Sequence, residues 1–155
     1  MNTILVSAFP GTGKTYLTMH NDTGLVISDS DSSRFPKDNF PANYIEHIKK
    51  RIGYVDVILV SSHKEVRDAL VKEGLGFSLL YPTKDSKEEF LRRYAERKNT
   101  ESFIELLNEN WDLWLDELGK QEGCTRVQLP AGLYVKDAVL ALLEQIKTKE
   151  YEAKK

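Results

Sequence analysis

The sequence has little cysteine and no long hydrophobic run. Because Cys124 is the only cysteine among 155 residues, an intramolecular disulfide is excluded, and so is a zinc or iron–sulfur site built from several cysteines. No stretch reaches the length of about 18 apolar residues typical of a membrane-spanning helix. The short apolar run near the start has neither a basic beginning nor a cleavage site. We therefore expect a cytoplasmic protein with no membrane partner.

An excess of charge of one sign is also missing. Lys and Arg number 22 against 24 Asp and Glu, which gives a formal net charge of −2 at pH 7. Interspersed charges in this balance give no electrostatic reason to expect direct binding to nucleic acid. The length predicts one domain over residues 1–155, large enough to bury a real core.

Short apolar runs alternate with longer amphipathic stretches, a pattern typical of a parallel sheet with helices between its strands. Strands are predicted at 3–7, 24–28, 55–61, 76–81 and 125–129. Helices are predicted from residue 13 and at 42–51, 63–73, 85–98, 101–118 and 135–147. Asp85 and Glu88 have the spacing of a capping box, which predicts the start of the fourth helix. Trp111 and Trp114 fall on the apolar stripe of the fifth helix, so we expect both in the core.

A glycine-rich segment follows the first predicted strand. From Ala8 to Thr15 it reads Ala-Phe-Pro-Gly-Thr-Gly-Lys-Thr, a Walker A pattern with Ala in place of the first Gly. Small residues let successive backbone N–H groups surround phosphate oxygens. Lys14 is predicted to reach the β- and γ-phosphates of ATP, and Thr15 to hold Mg²⁺. The predicted ATP-binding residues of this segment are Pro10, Gly11, Thr12, Gly13, Lys14, Thr15 and Tyr16. The alternative is a strand-to-helix turn that binds no nucleotide.

With this motif the chain resembles P-loop kinases of the nucleoside and nucleotide kinase type, including small phage-type deoxynucleoside monophosphate kinases, and their shikimate- and gluconate-kinase-like relatives. The resemblance implies an α/β three-layer P-loop NTPase fold. Its sheet has five parallel strands in the order 2-3-1-4-5, with helices on both faces and a helical lid. ATP and Mg²⁺ are the implied cofactors, and lid arginines close over the phosphates.

An Asp-x-Asp pair, Asp29 and Asp31, follows the second predicted strand. Ligands bind at the carboxyl ends of the strands in an open parallel sheet. The pair resembles that of small-molecule P-loop kinases, which assigns Asp29 to Mg²⁺ and Asp31 to the acceptor as an orienting group or weak base. Phosphoryl transfer through a loose transition state requires mainly positioning and charge neutralisation, so one carboxylate near the acceptor suffices. An ordinary turn rich in Asp and Ser is the alternative.

Further acceptor-binding candidates are basic. Arg34 can bind phosphate oxygens with two hydrogen bonds. His63 and Arg67 follow the third predicted strand and are predicted to contact the acceptor, unless Ser62 and His63 only cap the next helix. That strand ends without the acidic residue of a Walker B motif, which argues against a mechanical ATPase. Three aromatic side chains either stack on an acceptor base or pack locally: Phe35, Phe40 and Tyr44.

The lid is expected at about 84–100, after the fourth strand. Arg93 and Arg97 are four residues apart and share a helical face, so both are predicted to act catalytically on the transferred phosphoryl group. Arg92 is assigned to ATP. A solvated helix face with a Glu89–Arg93 ion pair is the alternative. In similar kinases the turn after the fifth strand touches adenine, which assigns Gly132 to ATP.

These features predict an enzyme that moves the γ-phosphoryl group of ATP·Mg²⁺ to a (deoxy)nucleoside monophosphate or a nucleoside. Two alternatives stay open. One is a small-metabolite hydroxyl kinase of the shikimate or gluconate type, which needs only a compact acceptor pocket. The other is a non-catalytic NTP-binding switch that controls a partner. A nucleotide or nucleoside acceptor is the expected partner, and a homodimer is left open.

Overall fold

A parallel β-sheet organises the chain, which a computed structural model describes over residues 3–153. The strands are β1 (Ile4–Ala8), β2 (Ile27–Asp29), β3 (Val57–Ser61), β4 (Ser78–Pro82) and β5 (Thr125–Leu129). All neighbours pair in parallel, in the order β2-β3-β1-β4-β5. This confirms the predicted α/β class and strand order. Residues 1, 2, 154 and 155 of the predicted domain lie outside the described residues.

Helices connect the strands on both sides of the sheet. They are α1 (Lys14–Met19), α2 (Ala42–Arg51), α3 (Lys64–Lys72), α4 (Lys87–Glu96), α5 (Glu101–Gly119) and α6 (Val135–Ala153). Right-handed crossovers, the rule for such connections, put α1 on one face and α2, α3 and α5 on the other. The contact of α2 with α3 agrees with this, and the contact of α1 with α6 puts α6 on the face of α1. None of the helices within 3–153 has the length and apolar character needed to cross a bilayer.

The core lies on both faces of the central strands. Ile58 and Leu59 of β3 are fully buried, as expected where helices cover both sides of a parallel sheet. Trp111 of α5 is also buried, packs edge-on against Phe9 with ring centroids 5.8 Å apart, and donates its indole N–H to the Lys84 carbonyl at 2.9 Å. Trp114 is half-buried against the same core. The apolar stripe predicted for this helix is therefore its buried face.

Two local predictions were wrong in detail. The second strand begins at Ile27 rather than residue 24, because the Asn21 side chain closes a turn with Thr23 and Leu25. The predicted capping box does not form. Asp85 accepts instead from the Thr83 hydroxyl within a 3₁₀ turn, and α4 begins after that turn without a side-chain cap.

Candidate functional site

The glycine-rich segment forms a loop, residues 9–13, between β1 and α1. Gly11 and Gly13 have φ of +87° and +95°, in the left-handed region that favours glycine. A Cβ on Gly11 would also lie 2.7 Å from Cε1 of Tyr94. Both the backbone conformation and the space at Gly11 therefore require glycine.

Helix α4 holds this loop by its carbonyl groups. The Tyr94 hydroxyl donates to the Pro10 carbonyl at 2.8 Å, and Arg93 Nη1 donates to the Gly11 carbonyl at 2.9 Å. In a planar trans peptide the N–H that follows a carbonyl points the opposite way. The N–H groups of Gly11 and Thr12 are therefore directed away from α4, towards the other side of the loop.

Those N–H groups have no partner among residues 3–153, and neither does that of Gly13. Gly11 and Thr12 are themselves buried. Buried peptide donors are nearly always paired in proteins. Three successive unpaired donors in a loop that α4 holds by hydrogen bonds are thus suited to receiving an acceptor group from a ligand.

Thr12 closes the loop on itself and joins it to α6. Its hydroxyl donates to the Phe9 carbonyl at 2.8 Å, and its own carbonyl accepts from the Val135 N–H at 2.7 Å. The side chain is fully buried. Thr12 therefore contributes its backbone, not its side chain, to the open side of the loop.

Lys14 follows the loop, and its ammonium group donates to the Ala8 carbonyl. Burial lowers the pKa of Lys14 to about 8. The Asp29 carboxylate opposes this change, the Arg97 guanidinium adds to it, and the Asp31 carboxylate opposes it. Lys14 remains a cation at pH 7, and the structure brings these four predicted site residues into one electrostatic cluster.

The two carboxylates of the cluster have different surroundings. Asp29 is half-buried at the end of β2. Burial raises its pKa, while the Lys14 charge and the polar side chain of Thr15 lower it. Asp31 is exposed and accepts from the Ser33 N–H at 2.9 Å and from the Ser33 hydroxyl at 2.7 Å, which lowers its pKa. Asp31 is therefore ionised at neutral pH and a weak base.

The lid prediction expected Arg93 to lie beside Arg97 on an open surface. In the structure Arg93 is buried instead. It is 7% exposed, and its guanidinium carbon lies 4.3 Å from the Phe90 ring centroid and 4.0 Å from that of Tyr134. Its Nη2 donates to the Leu133 carbonyl at 3.0 Å and lies 3.3 Å from Glu89. Both terminal nitrogens thus bind the protein itself, because α4 packs directly on the glycine-rich loop. Arg97, at the end of α4, is exposed.

Gly132 is tied to the same helix. Its N–H lies 3.0 Å from each carboxylate oxygen of Glu89. The predicted ATP-binding residues Arg92 and Tyr16 are exposed, and the Tyr16 ring packs against His20 with centroids 4.5 Å apart. Glu89 and Arg93 together hold the turn before α6 against the glycine-rich loop.

Arg67 is enclosed rather than directed at an acceptor. It is 4% exposed and donates to the Ser62 carbonyl at 2.8 Å, to Gln121 at 2.7 Å and to Glu117 at 2.6 Å. Each of its three nitrogens therefore has a partner, and the residue links the end of β3 and α3 to α5. Arg67 was predicted to contact an acceptor, and in this structure its guanidinium binds the protein itself.

The other two basic candidates remain accessible. The Arg34 side chain is 82% exposed, with Nε 3.9 Å from an Asp31 oxygen. His63 is exposed at the N-cap of α3 and makes no side-chain capping bond. The helix-cap alternative for the His63 side chain therefore does not hold in this structure.

The aromatic candidates pack on one another. Tyr44 is fully buried, with its ring stacked on Phe40 at 5.7 Å and met edge-on by Phe35 at 5.1 Å. Tyr44 thus follows the local-packing interpretation. The sequence analysis did not predict the role of Tyr94, which binds the glycine-rich loop, or of Tyr134, which packs on Arg93. The only indication in the sequence is that they lie close to the candidates Arg93 and Gly132.

A cleft of about 760 Å³ opens elsewhere, at the carboxyl ends of β4 and β5. Thr83, Asp116 and Pro130 are among its lining residues, and residues 9–15 are not. The loop geometry and the charge cluster, not the size of a cavity, therefore define the candidate site.

No model of a known protein family matches the chain, and no curated protein matches it either.

Proposed function

We propose that the protein is an ATP- and Mg²⁺-dependent phosphotransferase of the P-loop kinase type, which moves the γ-phosphoryl group to a (deoxy)nucleoside monophosphate or a nucleoside. The observation that carries the proposal is the run of three N–H groups without a partner among residues 3–153, Gly11 to Gly13, which is followed directly by the cation Lys14. Backbone donors and a cation in this arrangement suit phosphate oxygens.

The residues beside the loop suit Mg²⁺. Thr15 and Asp29 lie together and offer a hydroxyl and a carboxylate oxygen. Mg²⁺ usually keeps several waters and takes one or two carboxylates plus substrate phosphates. Within residues 3–153 no cluster of three His, Cys, Asp or Glu side chains could hold a metal. Thr15 and Asp29 would therefore share the ion with phosphate oxygens and water. When bound, it neutralises phosphate charge.

The acceptor side is assigned to three accessible groups. Asp31 is ionised and orients the acceptor, and Arg34 and His63 contribute donors for an acceptor phosphate or hydroxyl. Arg97 acts on Lys14 electrostatically and stabilises the charge that develops on the transferred group. Arg93 is reassigned from the phosphoryl group to the support of the loop.

One observation favours the second candidate, a small-metabolite hydroxyl kinase. A nucleotide acceptor is usually held by stacking on its base, and Tyr44 is enclosed between Phe35 and Phe40 instead. A compact hydroxyl acceptor needs no such surface. The test therefore has to compare acceptors of both classes.

The test is Mg²⁺-dependent ADP formation from ATP across ribo- and deoxynucleoside monophosphates, nucleosides and small hydroxy acids. We expect one class to stimulate turnover, and Lys14→Ala to abolish it without unfolding the protein. Lys72→Ala, at the end of α3, removes the same charge away from the site and should leave turnover unchanged. Normal turnover by folded Lys14→Ala would refute the assignment. ATP binding without stimulation by any acceptor would instead favour the switch.

A further inference from the structure

The hydrogen-bond ladder between β2 and β3 is interrupted at its carboxyl end. The strands pair up to Asp29 and Leu59, and the Ser30 N–H still donates to the Leu59 carbonyl at 2.9 Å. In a regular parallel ladder the next bond would run from the Ser61 N–H to the Ser30 carbonyl. Here the Ser61 N–H donates instead to the Tyr44 hydroxyl at 3.2 Å, and that hydroxyl donates to the Ser30 carbonyl.

A phenol oxygen thus replaces one direct strand-to-strand bond by two bonds in series. Both groups of the missing ladder bond remain satisfied, although the strands are separated by an inserted hydroxyl. Tyr44 itself is fixed, because it is fully buried on α2 and packs against Phe35 and Phe40. The separation is therefore set by a rigid side chain.

The position of this insertion matters for the candidate site. Ser30 lies between Asp29 and Asp31, and both carboxylates are close enough to Tyr44 to act on it electrostatically. The backbone that carries the two carboxylates leaves the sheet at the residue whose carbonyl the hydroxyl binds.

We propose that Tyr44 is a positioning residue whose hydroxyl, inserted between Ser30 and Ser61, sets where Asp29 and Asp31 stand relative to the glycine-rich loop. The effect on Mg²⁺ rests on the proposed function, whereas the strand spacing does not. Tyr44→Phe removes only the hydroxyl. The Ser30 carbonyl and the Ser61 N–H then lose their partner, and they recover one by closing on each other, which displaces the carboxylates.

The first test is calorimetric titration with ATP, with and without Mg²⁺. We expect ATP affinity without Mg²⁺ to be unchanged in Tyr44→Phe, since the loop and Lys14 are untouched. The gain in affinity on adding Mg²⁺ should fall about tenfold, as when an outer partner of a metal ligand is removed. Tyr54→Phe is the matched control, because Tyr54 is 80% exposed. An unchanged Mg²⁺ gain in Tyr44→Phe would overturn the proposal.

A second measurement does not need ATP. In the wild-type protein, NMR should show the Tyr44 hydroxyl proton protected from exchange and close to the Ser61 amide proton. A rapidly exchanging hydroxyl with no such contact would overturn the proposal, even where Tyr44→Phe does not fold. If the wild type shows this contact yet binds no ATP, the proposed function fails while the strand spacing set by Tyr44 stands.

Discussion

Arg93→Ala tests whether this arginine supports the glycine-rich loop or serves the phosphoryl group. The substitution removes hydrogen bonds from a charged donor to the Gly11 and Leu133 carbonyls, each worth about 1.5 kcal/mol. It also removes the contacts with the Phe90 and Tyr134 rings, each worth about 0.5 kcal/mol. The gross loss is about 4 kcal/mol, and partial relaxation of the loop should leave about 3 kcal/mol.

The assay is urea unfolding followed by tryptophan fluorescence, because Trp111 is buried against Phe9 and Phe90 and reports on the packing around α4. Arg92→Ala is the control: the neighbouring residue is exposed, so its removal should change the free energy of unfolding by less than about 0.5 kcal/mol. An Arg93→Ala protein as stable as the Arg92→Ala protein would refute the supporting role. If Arg93→Ala loses turnover but keeps the wild-type stability, Arg93 acts on the transferred phosphoryl group instead.

Three further predictions concern the loop and the charge cluster. Since the pKa of Lys14 is about 8, the ammonium loses its proton as pH rises through 8. In calorimetric titrations with ATP, the affinity should then fall by up to about tenfold per pH unit. Lys14→Arg should remove this pH dependence. Gly11→Ala should cost about 2 kcal/mol in urea unfolding. This is more than Gly74→Ala, where φ is +68° but, within residues 3–153 and apart from the adjoining residues, no heavy atom lies within 4 Å of the added Cβ; equal costs would contradict the contact with Tyr94. Asp29→Asn should raise the Mg²⁺ concentration that half-saturates ATP turnover, and an unchanged Mg²⁺ dependence would move the metal elsewhere.

The sequence alone predicted the order of elements and the place of the glycine-rich loop. Local patterns suffice for this, because a strand or helix is marked by the spacing of its own apolar residues. The loop is a contiguous motif whose glycines and lysine are adjacent in the chain. The strand order came from the resemblance that this motif supports, and the sheet has that order.

The tertiary structure decided how individual side chains are used. Helical spacing correctly put Arg93 and Glu89 on one face, but it contains no information about what that face meets. The Gly11 carbonyl that Arg93 binds is 82 residues away in the chain, and the Glu117 carboxylate that binds Arg67 is 50 residues from it. Likewise, only the assembled sheet shows the Tyr44 hydroxyl between Ser30 and Ser61. Such contacts depend on which surfaces the crossovers bring together, and a guanidinium or phenol that looks free in the sequence finds a buried partner only when the chain has packed.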